Sequence, residues 1–219
     1  MNNLSKKRRK KVKRYIVVFI IILTGLILFS CKREQPKEER AVQRINPYTN
    51  ESVFEEVKKK LQANPADADL WYHLADLYDR SGMYNEAIEA FKKVVELKPD
   101  MGYAYFKMGT AYNRIDKPEE AVKSFKKAIQ LMPDYAVAHN NLAIAYGKLG
   151  NTSEEINALK KAIKLRPRYG VARYNLGIAY LKKGERAAAK REYNLLRQID
   201  EGLASELQKK LEEDSGTGK

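Results

Sequence analysis

Residues 102–135 read GYAYFKMGTAYNRIDKPEEAVKSFKKAIQLMPDY, a stretch with apolar or small residues three and four positions apart and a proline near its end. Tyr105, Met108, Gly109 and Tyr112 fall on one face of a helix, and Ala121, Phe125 and Ala128 on one face of a second. Pro133 then blocks extension of the second helix and turns the chain. The pattern recurs. Pro65, Pro99, Pro133 and Pro167 are each 34 residues apart, as are Tyr78, Tyr112, Tyr146 and Tyr180. Leu74, Met108, Leu142 and Leu176 keep the same step, with Ala75, Gly109, Ala143 and Gly177 directly behind them. A fixed period of this length means a unit that cannot bury its own apolar face and stacks on copies of itself.

These residues resemble the tetratricopeptide repeat (TPR) family, over residues 68–201. Repeat one supplies Trp71, Leu74, Ala75, Tyr78, Ala87, Phe91, Val94 and Pro99; repeat two supplies the residues quoted above. Repeat three carries His139, Leu142, Ala143, Tyr146, Leu159, Ala162 and Pro167. Repeat four carries Leu176, Gly177, Tyr180, Ala189, Tyr193 and Leu196 without a closing proline. The resemblance implies an all-α, right-handed α-solenoid of four helix-turn-helix repeats, at 68–101, 102–135, 136–169 and 170–203. The flanks suit caps. Residues 51–65 place Val53, Val57 and Leu61 on one face as a half-repeat front cap. Residues 202–214 place Leu203, Leu207 and Leu211 on one face as a C-terminal capping helix, leaving a disordered tail at 215–219.

The other end of the chain is of a different kind. Eight of the basic residues behind the net charge of +14 lie within residues 1–14, and residues 1–31 hold no acid. The apolar run YIVVFIIILTGLILFS follows at 15–30. Its length suits the core of a signal peptide and reaches the lower edge of a spanning helix. Leu28-Phe29-Ser30-Cys31 resembles the lipobox of bacterial lipoproteins, with Phe29 larger than the usual residue there. The resemblance implies lipidation at Cys31; the alternative is a retained single-pass anchor with a free thiol. Both topologies hold the basic flank in the cytoplasm and the remainder on the periplasmic or extracytoplasmic side. Residues 31–50, rich in charge and poor in apolar side chains, read as a flexible linker. With the basic block assigned to the membrane, the rest is too mildly basic for a nucleic-acid binder.

Chemistry is sparse. His73 and His139 lie in separate repeats, without metal-ligand spacing, and no phosphate loop or nucleophile motif occurs. The expectation is no enzyme, no cofactor and no metal. One departure stands out: Glu155 occupies the position of Ala87, Ala121 and Ala189. A carboxylate there needs water or a partner, and His139 is the candidate partner.

Binding is the expected activity. The family resemblance implies a concave wall of first helices that holds a protein or peptide segment. Carried over by repeat position, repeat one contributes Asp69, Tyr72, Asp76 and Asp79. Repeat two contributes Tyr103, Phe106, Lys107, Thr110 and Arg114. Asn140, Asn141, Ile144 and Lys148 come from repeat three, and Tyr174, Asn175, Ile178 and Lys182 from repeat four. Asn141 and Asn175 resemble the asparagine ladder of some TPR proteins; the chaperone-type dicarboxylate clamp is not matched. Charge runs along the array, from net −3 in repeat one through +2 and +4 to +3 in repeat four. The pairs Lys92-Lys93, Lys126-Lys127 and Lys160-Lys161 recur on the second helices. They support an alternative, a structural tether contacting anionic lipid or cell-wall polymer. The expected role is an adaptor in an envelope assembly, secretion or pilus complex.

Overall fold

The computed structural model describes residues 51–216, with side chains described as far as Asp214. The signal or anchor segment 1–30, Cys31, the linker 31–50 and the end of the tail lie outside the described residues.

The described residues form ten helices and no strand. Helix α1 spans Glu51–Ala63. Repeat one is α2 (Ala68–Arg80) and α3 (Tyr84–Leu97), and repeat two is α4 (Gly102–Arg114) and α5 (Pro118–Leu131). Repeat three is α6 (Ala136–Lys148) and α7 (Thr152–Leu165), and repeat four is α8 (Gly170–Lys182) and α9 (Arg186–Leu196). Helix α10 (Glu201–Gly216) closes the array. Each helix packs on the next in sequence, which makes a solenoid rather than a centred core.

The turns inside the repeats show why the period holds. Gly82, Gly150 and Gly184 each sit at a positive φ of 75–77°, and the equivalent residue of repeat two is Asp116, at 56°. The small residues behind the Leu/Met positions are set by contact distance. A Cβ on Gly109 would lie 2.8 Å from the ring of Phe125, itself fully buried. Between repeats, the chain is pinned by a recurring bond. Trp71 Nε1 donates to the Pro65 carbonyl at 2.9 Å, His139 Nε2 sits 3.0 Å from that of Pro133, and Arg173 Nε donates to that of Pro167 at 3.1 Å. Three unlike side chains at one repeat position thus tie three of the four first helices, α2, α6 and α8, to the end of the unit before each. Arg173 also holds Glu192 at 2.9 Å, with both side chains largely buried.

The caps use slightly different faces from those expected. On α1 the buried residues are Phe54, Val57 and Leu61, with Val53 only partly covered, because Phe54 stacks on Tyr78 at 5.1 Å. On α10, Ala204, Leu207 and Leu211 are buried and Leu203 is half-covered. Repeat four ends without proline, yet the chain still breaks after Leu196, because Asp200 Oδ1 accepts the Leu203 N–H at 3.0 Å and caps α10. Asp67 does the same for α2, accepting from the backbone N–H of Asp69 and Leu70. Helix α10 runs on to Gly216, two residues into the segment expected to be disordered.

Candidate functional site

The first helices α2, α4, α6 and α8 meet along one wall, and its two ends are built differently. At the α2–α4 end the charged residues satisfy one another. Lys107 Nζ reaches Asp76 at 3.0 Å and Asp79 at 2.8 Å, all three side chains being less than a fifth exposed. Arg80 Nε holds the other oxygen of Asp76 at 2.6 Å. Burial alone would pull the Lys107 ammonium down, but its hydrogen bonds to Asp79 and Asp76 outweigh it and the pKa is raised. Asp69 pairs with Lys98 at 2.8 Å, and Thr110 turns back to its own helix, donating to the Phe106 carbonyl at 3.0 Å. Arg114 is exposed at the end of α4.

Aromatic rings cover the same end. Tyr103, 41% exposed, lies between Tyr72 at 6.4 Å and Tyr135 at 6.3 Å. Tyr72 packs edge-on against the buried Phe91, and burial is the main cause that pushes its phenol up to about 12. Phe106, expected on the wall, is a core residue: it is 7% exposed, packed on Phe125 at 5.9 Å and on Tyr135 at 5.0 Å. Tyr135 takes its place at the surface. It precedes α6, outside the helix positions used to choose wall residues, and its signal in the sequence is Tyr169 one period later.

At the other end, α6, α8 and α10 enclose a cleft of about 410 Å³. Six of the expected wall residues line it: Ile144, Lys148, Tyr174, Asn175, Ile178 and Lys182. Gly147, Glu155 and Lys210 complete it. Lys210, on the capping helix, carries no helix-pair signature that sequence position could reveal. Asn140 is 3% exposed and so is not a contact residue; instead it accepts from Asn175 at 3.0 Å and donates to Asn141 at 3.2 Å. The amides thus form a short chain between repeats three and four.

Glu155 corrects the sequence reading twice. It neither reaches solvent nor meets His139. The side chain is 8% exposed and its partner is Lys182 of the next repeat, at 3.3 Å. Room for it comes from Gly147, where a Cβ would lie 2.8 Å from the carboxyl carbon. His139 is committed to the Pro133 carbonyl.

On the opposite side, Lys126 lies over the Tyr146 ring at 5.7 Å and Lys160 over Tyr180 at 5.8 Å, one repeat apart. A larger groove of about 760 Å³ runs there between α1, α3 and α5, floored by Trp71, Leu74, Tyr78 and Tyr112. Among the described residues no cluster of histidine, cysteine or carboxylate groups is placed to hold a metal, and no helix is long and apolar enough to cross a membrane.

Comparison with known proteins agrees with this architecture. A model of the tetratricopeptide repeat matches residues 68–101 and 136–169, and a second TPR model matches 117–150. No curated protein sequence matches. Among solved structures, MamA is 31% identical, with 69% of this chain and 89% of that chain covered at a TM-score of 0.66. YrrB, described as a TPR protein with an unusual peptide-binding site, is 22% identical over 78% of this chain and 88% of its own, at 0.67. The first TPR domain of Spaghetti (RPAP3), bound to an HSP90 peptide, is 21% identical over 53% and 93%, at 0.52. The chain belongs to the tetratricopeptide repeat family.

Proposed function

We propose that this protein is a membrane-tethered adaptor whose wall of first helices holds an extended protein segment. The observation that carries the reading is the pairing of exposed anchor surface with fixed polar groups along one wall. Tyr103 and Ile144 are 41% and 38% exposed, and the amides of Asn141 and Asn175 stand beside the second of them. Aromatic and aliphatic anchors supply contact area, and amides can bond an extended backbone. Peptide binding by YrrB and by the RPAP3 domain supports the same use of the fold.

The tether rests on the sequence: a basic block, an apolar run and Cys31 at its end. In this reading Cys31 is lipidated or the run is retained as an anchor, and the array works on the extracytoplasmic side within an envelope assembly, secretion or pilus complex. Binding, not catalysis, is the activity. Replacing Tyr103 and Ile144 together by alanine should abolish capture of envelope partners by the full chain while leaving its helix content intact. Unchanged capture would sink the proposal. Intact mass of the native protein separates an acylated N-terminus at Cys31 from an unprocessed chain.

A second reading has its own observation. The lysine–tyrosine stacks at Lys126 and Lys160 hold two ammonium groups one repeat apart on the second helices, a spacing suited to an anionic polymer. Lys126→Glu with Lys160→Glu would remove partner capture under that reading alone.

A further inference from the structure

We infer that the cleft between α6, α8 and α10 selects an acidic segment, seating an apolar side chain of the partner on Ile144 and Ile178 with its carboxylates between Lys148, Lys182 and Lys210. The inference rests on the wall being a segment-binding surface and names the chemistry of what it takes. Three lysines and one carboxylate line the cleft. The carboxylate, Glu155, is 8% exposed beneath Lys182, so within the cleft a ligand meets ammonium groups before the one acid that lines it.

The lysines are weakly committed. Lys182 is 3.3 and 3.4 Å from the two oxygens of Glu155, longer than the roughly 2.7–2.9 Å of a strong charge-assisted bond. Lys148 donates to the Asn113 carbonyl at 2.8 Å and to Asp116 at 2.9 Å, but Asp116 is 84% exposed. Lys210 pairs with Glu213 at 2.8 Å, both side chains more than half exposed. Exposed pairs of this kind contribute little to the fold, so a partner's carboxylate can replace Asp116 or Glu213. The cation at the opposite end, Lys107, is locked between two aspartates and is not available in this way. The capping helix therefore does more than cover the last repeat, because it brings the third ammonium.

The test uses the full chain in neutral detergent micelles with labelled isoleucine methyls. The probes are three nonapeptide pools, each with a central leucine flanked by glutamates, glutamines or lysines. The glutamate pool should shift the Ile144 and Ile178 methyls and bind about tenfold tighter than the glutamine pool at low salt, with the lysine pool weakest. The advantage should shrink as salt rises. Lys148→Glu with Lys210→Glu should remove it; neither residue touches Glu155, so the fold is spared. Equal or tighter binding of the glutamine or lysine pool at the same methyls overturns the acidic selection while leaving segment binding intact. If no pool moves any methyl or aromatic signal of the wall, segment binding itself fails and the inference falls with it.

Discussion

The two ends of the first-helix wall use charge in opposite ways. Around α2 and α4, Lys107 is enclosed by Asp76 and Asp79, and the trio binds one helix to the next. Around α6, α8 and α10, lysines face a cleft and the lone carboxylate lies beneath them. The residues stand at equivalent repeat positions. Lys107 occupies the place of Asn141 and Asn175, and Asp76 that of Ile144 and Ile178. The Lys107 position links repeats at both ends, by ion pairs at one and by amides at the other. The Asp76 position, in contrast, serves cohesion at one end and apolar cleft lining at the other.

The sharpest way to break the comparison is to add volume. Gly109→Val forces atoms into the ring of Phe125, already 2.8 Å from where a Cβ would sit, and overpacking there should cost about 3 kcal/mol. At the other end, a Cβ on Gly177 would lie 2.5 Å from Leu207, but Leu207 belongs to the terminal helix, which can move. Gly177→Ala should therefore free α10 before it melts the array. Hydrogen exchange would show amides of α10 losing protection while those of α4 keep theirs. Uniform loss in both variants would mean the array unfolds as one unit.

Next in size is Lys107→Ala, which leaves Asp76 and Asp79 without their shared cation. The cost should be about 2 kcal/mol, below the range for fully buried pairs because Arg80 still serves Asp76. Lys148→Ala should cost less than about 1 kcal/mol, since its partner is exposed. Equal costs would erase the distinction between the two ends. The pH profile sharpens it. Lys107, raised in the fold, contributes fully below the ordinary lysine value and loses its contribution as pH rises through its folded value. Tyr72 acts in the same sense. Unfolded, it ionises near its ordinary 10.0, whereas folded it keeps its proton to about 12, so stability falls between those values. Denaturation midpoints should drop above pH 10, and Tyr72→Phe should make the drop shallower.

How much of this the sequence disclosed follows from what repeats. Helices, turns and small-residue contacts were legible because each unit makes the same contacts at the same offsets, as Pro65, Pro99 and Pro133 show. Even the lysine–tyrosine stacks recur one period apart, at Lys126 with Tyr146 and Lys160 with Tyr180. The site was less legible because its parts break the period. Asp76, Lys107 and Asp79 come together by exception, and Lys210 lies beyond the last repeat. Phe106 is hard to place from sequence because its position is half-buried in repeat one, where Tyr72 stands, and buried in repeats two and three, where Phe106 and Asn140 stand. Glu155 and Gly147 depart from pattern together, a paired signal that single positions conceal.

That pair gives a smaller, more specific effect. Gly147→Ala should cost about 1 kcal/mol, a gain in helix propensity offsetting part of the clash with the Glu155 carboxyl. Combined with Glu155→Ala, which restores the small residue found at Ala87 and Ala121, it should cost nothing. A Gly147→Ala variant with no cost of its own would mean Glu155 moves aside freely, and the cleft floor is softer than the packing implies.

The smallest effect tests whether Lys148 is as free as the cleft requires. Asp116 holds the left-handed conformation that glycine takes at 82, 150 and 184. A side chain there is strained relative to glycine, so Asp116→Gly should stabilise by about 0.5 kcal/mol. The variant also deletes the Lys148–Asp116 pair, but an aspartate 84% exposed returns little for its loss. The two consequences point the same way if the ends of the wall differ as described: a higher denaturation midpoint, and slightly tighter binding of a glutamate-rich peptide to the released lysine. A lower midpoint would mean that the pair outweighs the backbone strain. Lys148 would then belong, like Lys107, to the cohesion of the array.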